Sequence, residues 1–255
     1  MNVELDIEIV EWIAKLGAAG AGHVAAHFGL ARETTYRRFG VLAKGGLLVQ
    51  HRILHERPAL HTVTRKGLRW RGLSGLGVCN VSPARFEHWW QIADAAVALA
   101  AGLSDWRIHS DREILWRERE QRKLLASVRI GPGWGDNPAL HRPDLALFSP
   151  TGRVVAIEVE LSAKEPSRLV KICNGWARAR HVDATYYLAT PIAARAVGRA
   201  VKKTRAEDCI KVLALEQTAE VVRIEREASA SEGGDSECPA SAAGEMPQPD
   251  TLPPR

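Results

Sequence analysis

The chain is poor in the residues that staple, export or anchor a protein. Its four cysteines, Cys79, Cys173, Cys209 and Cys238, are scattered over 255 residues without a CxxC pair. That spacing argues against a disulfide framework and a cysteine zinc knuckle, and points to a reducing, cytoplasmic compartment. Long apolar runs are missing too. The stretch from Ala95 to Ala101 is far too short to span a bilayer, and the acidic start MNVELDIEIV lacks the basic region of an export signal. No membrane anchor is expected. Large apolar residues nearly vanish from Ala228 onward, so residues 226 to 255 read as a disordered acidic tail.

What is present suffices for a buried core, with 45% hydrophobic and 25% charged residues in a length between one large domain and two ordinary ones. The net charge of +5 divides as +5 over residues 1–75, +4 over 76–225 and −4 over the tail. A basic body of this kind favours a polyanionic partner, because cations that neutralise phosphates gain from counterion release. The glycines and proline of LSGLGVCNVSP, residues 73 to 83, suggest a boundary between a first domain, residues 1–75, and a second, residues 80–225.

In the first domain, periodicity predicts helices over Ile7–Leu16, Gly20–Phe28 and Thr34–Lys44, then two ribbon strands in LLVQHRIL and ALHTVTRKGLRWR. This order resembles the winged helix-turn-helix family, with HTVTRKG as the end of a wing. The resemblance implies binding to double-stranded DNA, with the third helix in the major groove. Arg32, Thr34, Thr35, Arg37 and Arg38 are the candidate reading residues, and Arg52, Arg57, Arg65 and Lys66 the candidate backbone clamps. His23 with His27 and His51 with His55 have four-residue spacing, but no third ligand type lies nearby, so they read as surface residues.

The second domain opens with a core helix over Pro83–Ala101. A strand is expected over Trp106–Trp116, then a glycine-rich excursion whose GPGWGDN segment reads as a mobile loop. Two strands follow, Arg142–Phe148 and Val154–Leu161. In VVAIEVEL, Val155, Ile157, Val159 and Leu161 share one face and Ala156, Glu158 and Glu160 the other. The two carboxylates then sit about 7 Å apart along one face, at roughly 3.4 Å per residue. Asp144 on the preceding strand and Lys164 beyond it complete a cluster suited to metal-dependent phosphodiester hydrolysis, in which Mg²⁺ or Mn²⁺ takes oxygen ligands. A paired carboxylate–lysine network that only holds the sheet together is the structural alternative.

Pro143-Asp144, Glu158 and the nearby lysine resemble the PD-(D/E)xK nuclease motif. The stretch HRPDLALFSPTGRVVAIEVELSAKEPSRLVKI is similar to the replication-relaxation family, which joins a winged helix to such a domain and includes a class of plasmid mobilisation relaxases. The resemblance implies a restriction-endonuclease-like mixed sheet flanked by helices, an α/β (α+β overall) chain, with Asp144 and Glu158 as Mg²⁺ or Mn²⁺ ligands. It also implies DNA nicking, with DNA and other replication or mobilisation proteins as partners; a noncatalytic regulator on the same scaffold is the alternative. The chain departs from the motif at Glu160, where the pattern has lysine, and Lys164 is the candidate replacement. Glu113 or Glu87 is the candidate further acid, with His88 an unplaced polar neighbour. Helices are expected over Glu165–Arg180, with Arg168, Lys171, Arg178 and Arg180 available to DNA, and over Pro191–Arg205. The strands ATYYLAT and IKVLAL extend the sheet, and Tyr186 and Tyr187 read as core or rim residues rather than nucleophiles.

Overall fold

A computed structural model describes residues 3–133 and 138–233. The first part packs three helices, α1 (Val3–Leu16), α2 (Ala21–Phe28) and α3 (Arg32–Lys44), against a small antiparallel sheet in the order β1-β3-β2. Its strands are β1 (Ala19–Gly20), β2 (Leu48–His51) and β3 (Leu60–Val63). Helix α2 stops at Gly29, whose φ of 63° is open to glycine at little cost. The short helix α4 (Arg65–Trp70) follows β3 directly, with the Thr64 hydroxyl accepting the Gly67 N–H at 3.1 Å as its N-cap. Arg65 and Lys66 therefore belong to the first turn of α4 and not to the ribbon.

The second part is built on a five-stranded mixed sheet flanked on both faces by helices. Its elements are α5 (Phe86–Gly102), β4 (Arg107–Ser110), α6 (Asp111–Gln121), β5 (Val128–Gly131), β6 (Ala139–His141), β7 (Leu145–Phe148) and β8 (Val154–Glu160), then α7 (Pro166–Arg178), β9 (Ala184–Ala189), α8 (Pro191–Thr204), β10 (Ile210–Ala214) and α9 (Thr218–Gly233). The strand order is β10-β9-β8-β7-β4, parallel among β8, β9 and β10 and antiparallel from β8 to β4. The chain is thus a mixed α/β protein. Among the described residues no helix is long and apolar enough to cross a membrane.

The alternation read in β8 is realised in the packing. Val155, Ile157 and Val159 join the core that also holds Phe86, Trp89 and Ile92 of α5, whereas Ala156 joins Leu169, Cys173 and Trp176 of α7 on the opposite face. The first of these cores is continuous with Ile9 and Ile13 of α1 and Leu60 of β3, so apolar packing runs unbroken across the glycine-rich segment 73–83. Polar contacts reinforce that junction. His23 of α2 accepts the Gly20 N–H at 2.9 Å and donates to Asp94 of α5 at 3.0 Å, while His27 stacks on Trp12 with ring centroids 4.5 Å apart. His23 is accordingly an interior cap, not a surface residue.

Three expectations are corrected. The strand over Trp106–Trp116 ends at Ser110, because Ser110 caps α6 through the Glu113 N–H and the acids Asp111 and Glu113 fall in the helix's first turn, where the macrodipole favours them. The glycine-rich excursion contains the ribbon β5–β6, whose register shifts between Arg129 and Gly131; the Trp134–Asn137 part of the expected mobile loop lies outside the described residues. Residues 226–233 are not disordered but continue α9; the remainder of the expected tail, 234–255, is outside the described residues.

Helix α9 is held by a buried charge. Glu225 is 0% exposed and accepts from the Tyr186 hydroxyl at 2.6 Å and from Arg153 Nε at 2.7 Å. Val222 of α9 fills the space beside Gly102, where a Cβ would fall 2.5 Å from it. Glu225→Ala removes a buried acceptor that Arg153 and Tyr186 share and should cost about 3 kcal/mol. A chemical-denaturation midpoint equal to that of the parent protein would show that this contact does not hold α9.

Candidate functional site

The acids cluster at one end of the large sheet. The β7–β8 register pairs Leu145 with Ile157, which sets Asp144, just before β7, across from Glu158. Pro143 has no N–H to give to a ladder, and beside it Asp144 takes up a β8 donor: Oδ2 accepts the Val159 N–H at 2.8 Å. Its other oxygen, Oδ1, accepts from His88 Nε2 of α5 at 3.1 Å. Glu158, 2% exposed, accepts from His141 Nε2 of β6 at 2.6 Å, and the His141 ring meets Trp176 edge-on. Glu160, 5% exposed, forms an ion pair with Lys164 in the segment leading to α7.

These groups act on one another. Burial works against the charge on Lys164, but the carboxylates of Glu158, Glu160 and Asp144 outweigh it and raise its pKa. Burial raises the Glu160 pKa; Lys164 opposes this, and the like charges of Glu158 and Asp144 add to it. His88 is likewise disfavoured as a cation by burial, yet its hydrogen bond and charge attraction to Asp144 raise its pKa overall. Lys164 and His88 are therefore favoured as cations, and Glu160 is disfavoured as an anion.

Asp111 is the site residue that the sequence reading missed. Its N–H donates to the Asp144 carbonyl at 3.0 Å, and burial followed by the charge of Asp144 raises its pKa, with Arg112 and Arg142 opposing. Once SDRE is recognised as a helix start, Asp111 is the acid nearest the end of β4. Glu113, the expected candidate, is turned about 200° away from it on the helix. It is 2% exposed and engaged by Arg117 at 2.7 Å, His109 at 3.0 Å and Lys15 at 3.9 Å. Glu113 ties α6 to α1 and stands apart from the Asp144 cluster. Glu87 also lies elsewhere, bonded to Arg57 and Gln91.

Among the described residues no group of three His, Cys, Asp or Glu side chains is arranged to hold a metal ion. The donor chemistry nevertheless fits a hard cation that uses one or two protein carboxylates and completes its shell with water and phosphate. Each carboxylate oxygen has two acceptor lone pairs, so Asp144 and Glu158 keep capacity beyond the bonds they already make. Compared with protein-family models, curated proteins and solved structures, the chain matches none.

The expected DNA-reading residues separate into two sets. Arg32 and Arg37 on α3 are exposed, and Arg32 stacks over Tyr36, itself 46% exposed. Thr34 is half-buried. Thr35 is fully buried and donates its hydroxyl to the Ala31 carbonyl, and Arg38 donates to Asp6 of α1 at 2.7 Å. Thr35 is turned into the interior of the first part, and Arg38 ties α3 to α1. Arg65 and Lys66 are exposed, with Lys66 donating to the Gly45 carbonyl, whereas Arg57 reaches back to Glu87 and over the Trp90 ring. Tyr186 and Tyr187 are both buried, because helices cover both faces of β9.

The His88–Asp144 pair predicts a pH dependence. A histidine whose folded pKa is raised contributes stability that is fully present below its unfolded pKa and is lost as pH rises through the folded value. Asp144→Asn should lower the His88 pKa and flatten the stability profile across that window. Histidine NMR titration of both proteins reads this directly, and an unmoved His88 resonance would show that the two side chains are not paired.

Proposed function

We propose that the protein is a DNA-binding protein of plasmid or mobile-element replication or mobilisation, and that its second part nicks DNA in a metal-dependent reaction. In this reading residues 3 to about 75 act as a winged helix that carries the chain to duplex DNA, and the mixed sheet is a restriction-endonuclease-like core. The observation that carries the reading is the convergence of Asp144 and Glu158 from adjacent antiparallel strands with Lys164 at the start of the α7 segment.

Asp144 and Glu158 would hold Mg²⁺ or Mn²⁺, which supplies Lewis-acid polarisation of a phosphate and an acidified water when bound. Lys164, kept protonated by three carboxylates, is the cation available to offset negative charge that develops on the phosphate. His88 holds Asp144 by one oxygen and Val159 holds it by the other, which fixes the carboxylate plane. His141 holds one oxygen of Glu158 from the β6 ribbon.

A second reading, a noncatalytic DNA-binding regulator, is favoured by one specific feature: Asp144, Glu158 and Glu160 each already have a histidine or lysine partner. Supercoiled plasmid incubated with Mg²⁺, Mn²⁺ or EDTA separates the two. The enzyme reading expects relaxed circles with metal only, their loss in Asp144→Asn and Glu158→Gln, and a decline of about 10²–10³-fold in Lys164→Ala, with duplex binding retained in all three. No metal-dependent nicking by the wild type would leave the regulator.

Binding through α3 has its own test. Arg32→Ala with Arg37→Ala should weaken duplex binding and lower the slope of log K against log salt by about 0.9 for each phosphate that is no longer neutralised. Unchanged affinity and slope would remove α3 as the reading element.

A further inference from the structure

Several described arginines are held by acids, among them Arg38 by Asp6, Arg71 by Glu11, Arg117 by Glu113, Arg153 by Glu225 and Arg223 by Glu220. Helices α7 and α8 offer their cations no acid of their own. Neither contains an Asp or Glu, and between them they carry Arg168, Lys171, Arg178, Arg195, Arg199, Lys202 and Lys203. All seven are exposed, and none forms an ion pair with another described residue.

Helical geometry gathers these cations. At about 100° per residue, Arg168, Lys171 and Arg178 fall within an arc of about 80° on α7, and the four of α8 within about 100°. The opposite arcs supply Leu169, Ile172 and Cys173 of α7 and Ala193, Val197 and Val201 of α8 to one shared core, so the two basic faces point outward together. Helix-dipole compensation accounts for Lys202 and Lys203 in the last turn of α8, but not for Arg168 or Arg195 in the N-terminal halves. Of the described helices of eleven residues or more, α7 and α8 are the two with no acid in the first turn. The acid that caps α7, Glu165, accepts from the N–H groups of Ser167 and Arg168; it also lines a cavity with Lys171, Arg199 and Lys203 and feels the charge of Lys171, without forming an ion pair with it.

The surface is grooved rather than flat. Lys171 lines two cavities, one of 640 Å³ between α7 and α8 with Arg199 and Lys203, and one of 710 Å³ between α7 and the β5 ribbon with Arg129, Arg178 and His181. The track begins next to the candidate site, since α7 starts two residues after Lys164, and Arg178 lies about 18 Å further along the helix at 1.5 Å per residue. No aromatic ring is exposed on either helix: Trp176 is buried. That absence disfavours a single-strand platform, which relies on base stacking.

We propose that the outer face of α7 and α8 is a second DNA surface that holds the sugar-phosphate backbone of a duplex without reading its bases. The proposal rests on the DNA-binding reading above and assigns this face a role independent of α3. Its occupant is a duplex polyanion, chosen by charge complementarity, and its effect is to hold a non-specific length of duplex beside the Asp144 cluster.

The test compares the full chain with two surface variants, Arg168→Gln/Lys171→Gln/Arg178→Gln and Arg195→Gln/Arg199→Gln/Lys202→Gln/Lys203→Gln, on duplexes of unrelated sequence over a salt series. All seven side chains are exposed, and matching thermal melts establish that the variants fold like the parent. Each variant should weaken binding to every duplex by the same factor and lower the salt slope by about 0.9 for each phosphate left without its cation. Wild-type binding with unchanged slopes in both variants overturns this proposal and leaves the α3 reading intact. Reduced slopes here with no effect of Arg32→Ala/Arg37→Ala overturn the α3 reading and support this one. Displacement of bound duplex by polyglutamate at equal charge from the parent, but not from the variants, would reassign the face to an acidic protein partner. Absence of any duplex binding by the wild type would sink both readings.

Discussion

Two glutamates on the central strand of a covered sheet are the constraint around which the second half of the molecule is arranged. Glu158 and Glu160 are buried on a face that α7 closes, and a buried carboxylate without a partner is costly. Two partners meet that cost directly, and a third serves the acid beside them. His141 arrives on the β6 ribbon, Lys164 on the link to α7, and Asp144, which adds to the negative charge, is held by His88 from α5 on the other side of the sheet. Removing any one partner would leave charge in a low-dielectric region, so the elements that carry these partners depend on one another.

The same pattern recurs at two other places, each time to dock a helix. Glu113 joins α6 to α1 through Lys15 and to its own turn through Arg117 and His109. Glu225 joins α9 to the sheet through Arg153 and Tyr186. Both are nearly inaccessible and fully engaged, and both are positioning charges. The Asp144 cluster differs because its acids sit together and raise the pKa of their neighbours by mutual repulsion or attraction. Proximity of like charges, rather than burial alone, is what marks it as a functional candidate.

Charge is also sorted on the surface. Some basic side chains of the first part bridge to acids, as Arg38 and Arg71 do, and others stand exposed on α3 and α4, as Arg32, Arg37, Arg65 and Lys66 do. Those of α7 and α8 stand exposed together. Exposed basic side chains thus cluster on α3 and α4 and again on α7 and α8.

Much of this was legible in the amino-acid order, because it depends on local period. The two faces of VVAIEVEL, the helices of the first part, the glycine stop after Phe28 and the amphipathic helices α7 and α8 follow from alternation and turn chemistry alone. So does the nearness of Asp144, Glu158 and Lys164, which lie on consecutive elements. Local order misled where two signals competed: Trp106 to Trp116 has strand-forming residues, but the SDRE cap within it turns the chain into α6. The short strands β5 and β6 and the small-residue helix α9 carry weak patterns, and they are stabilised by distant partners such as Glu225 with Arg153, 72 residues apart. Only the tertiary structure decided that Asp111 and not Glu113 meets Asp144, that Thr35 and Arg38 turn inward, and that His88 and His141 hold the acids. Those outcomes depend on which elements pack against each other, and periodicity within one element carries no information about its neighbours in space.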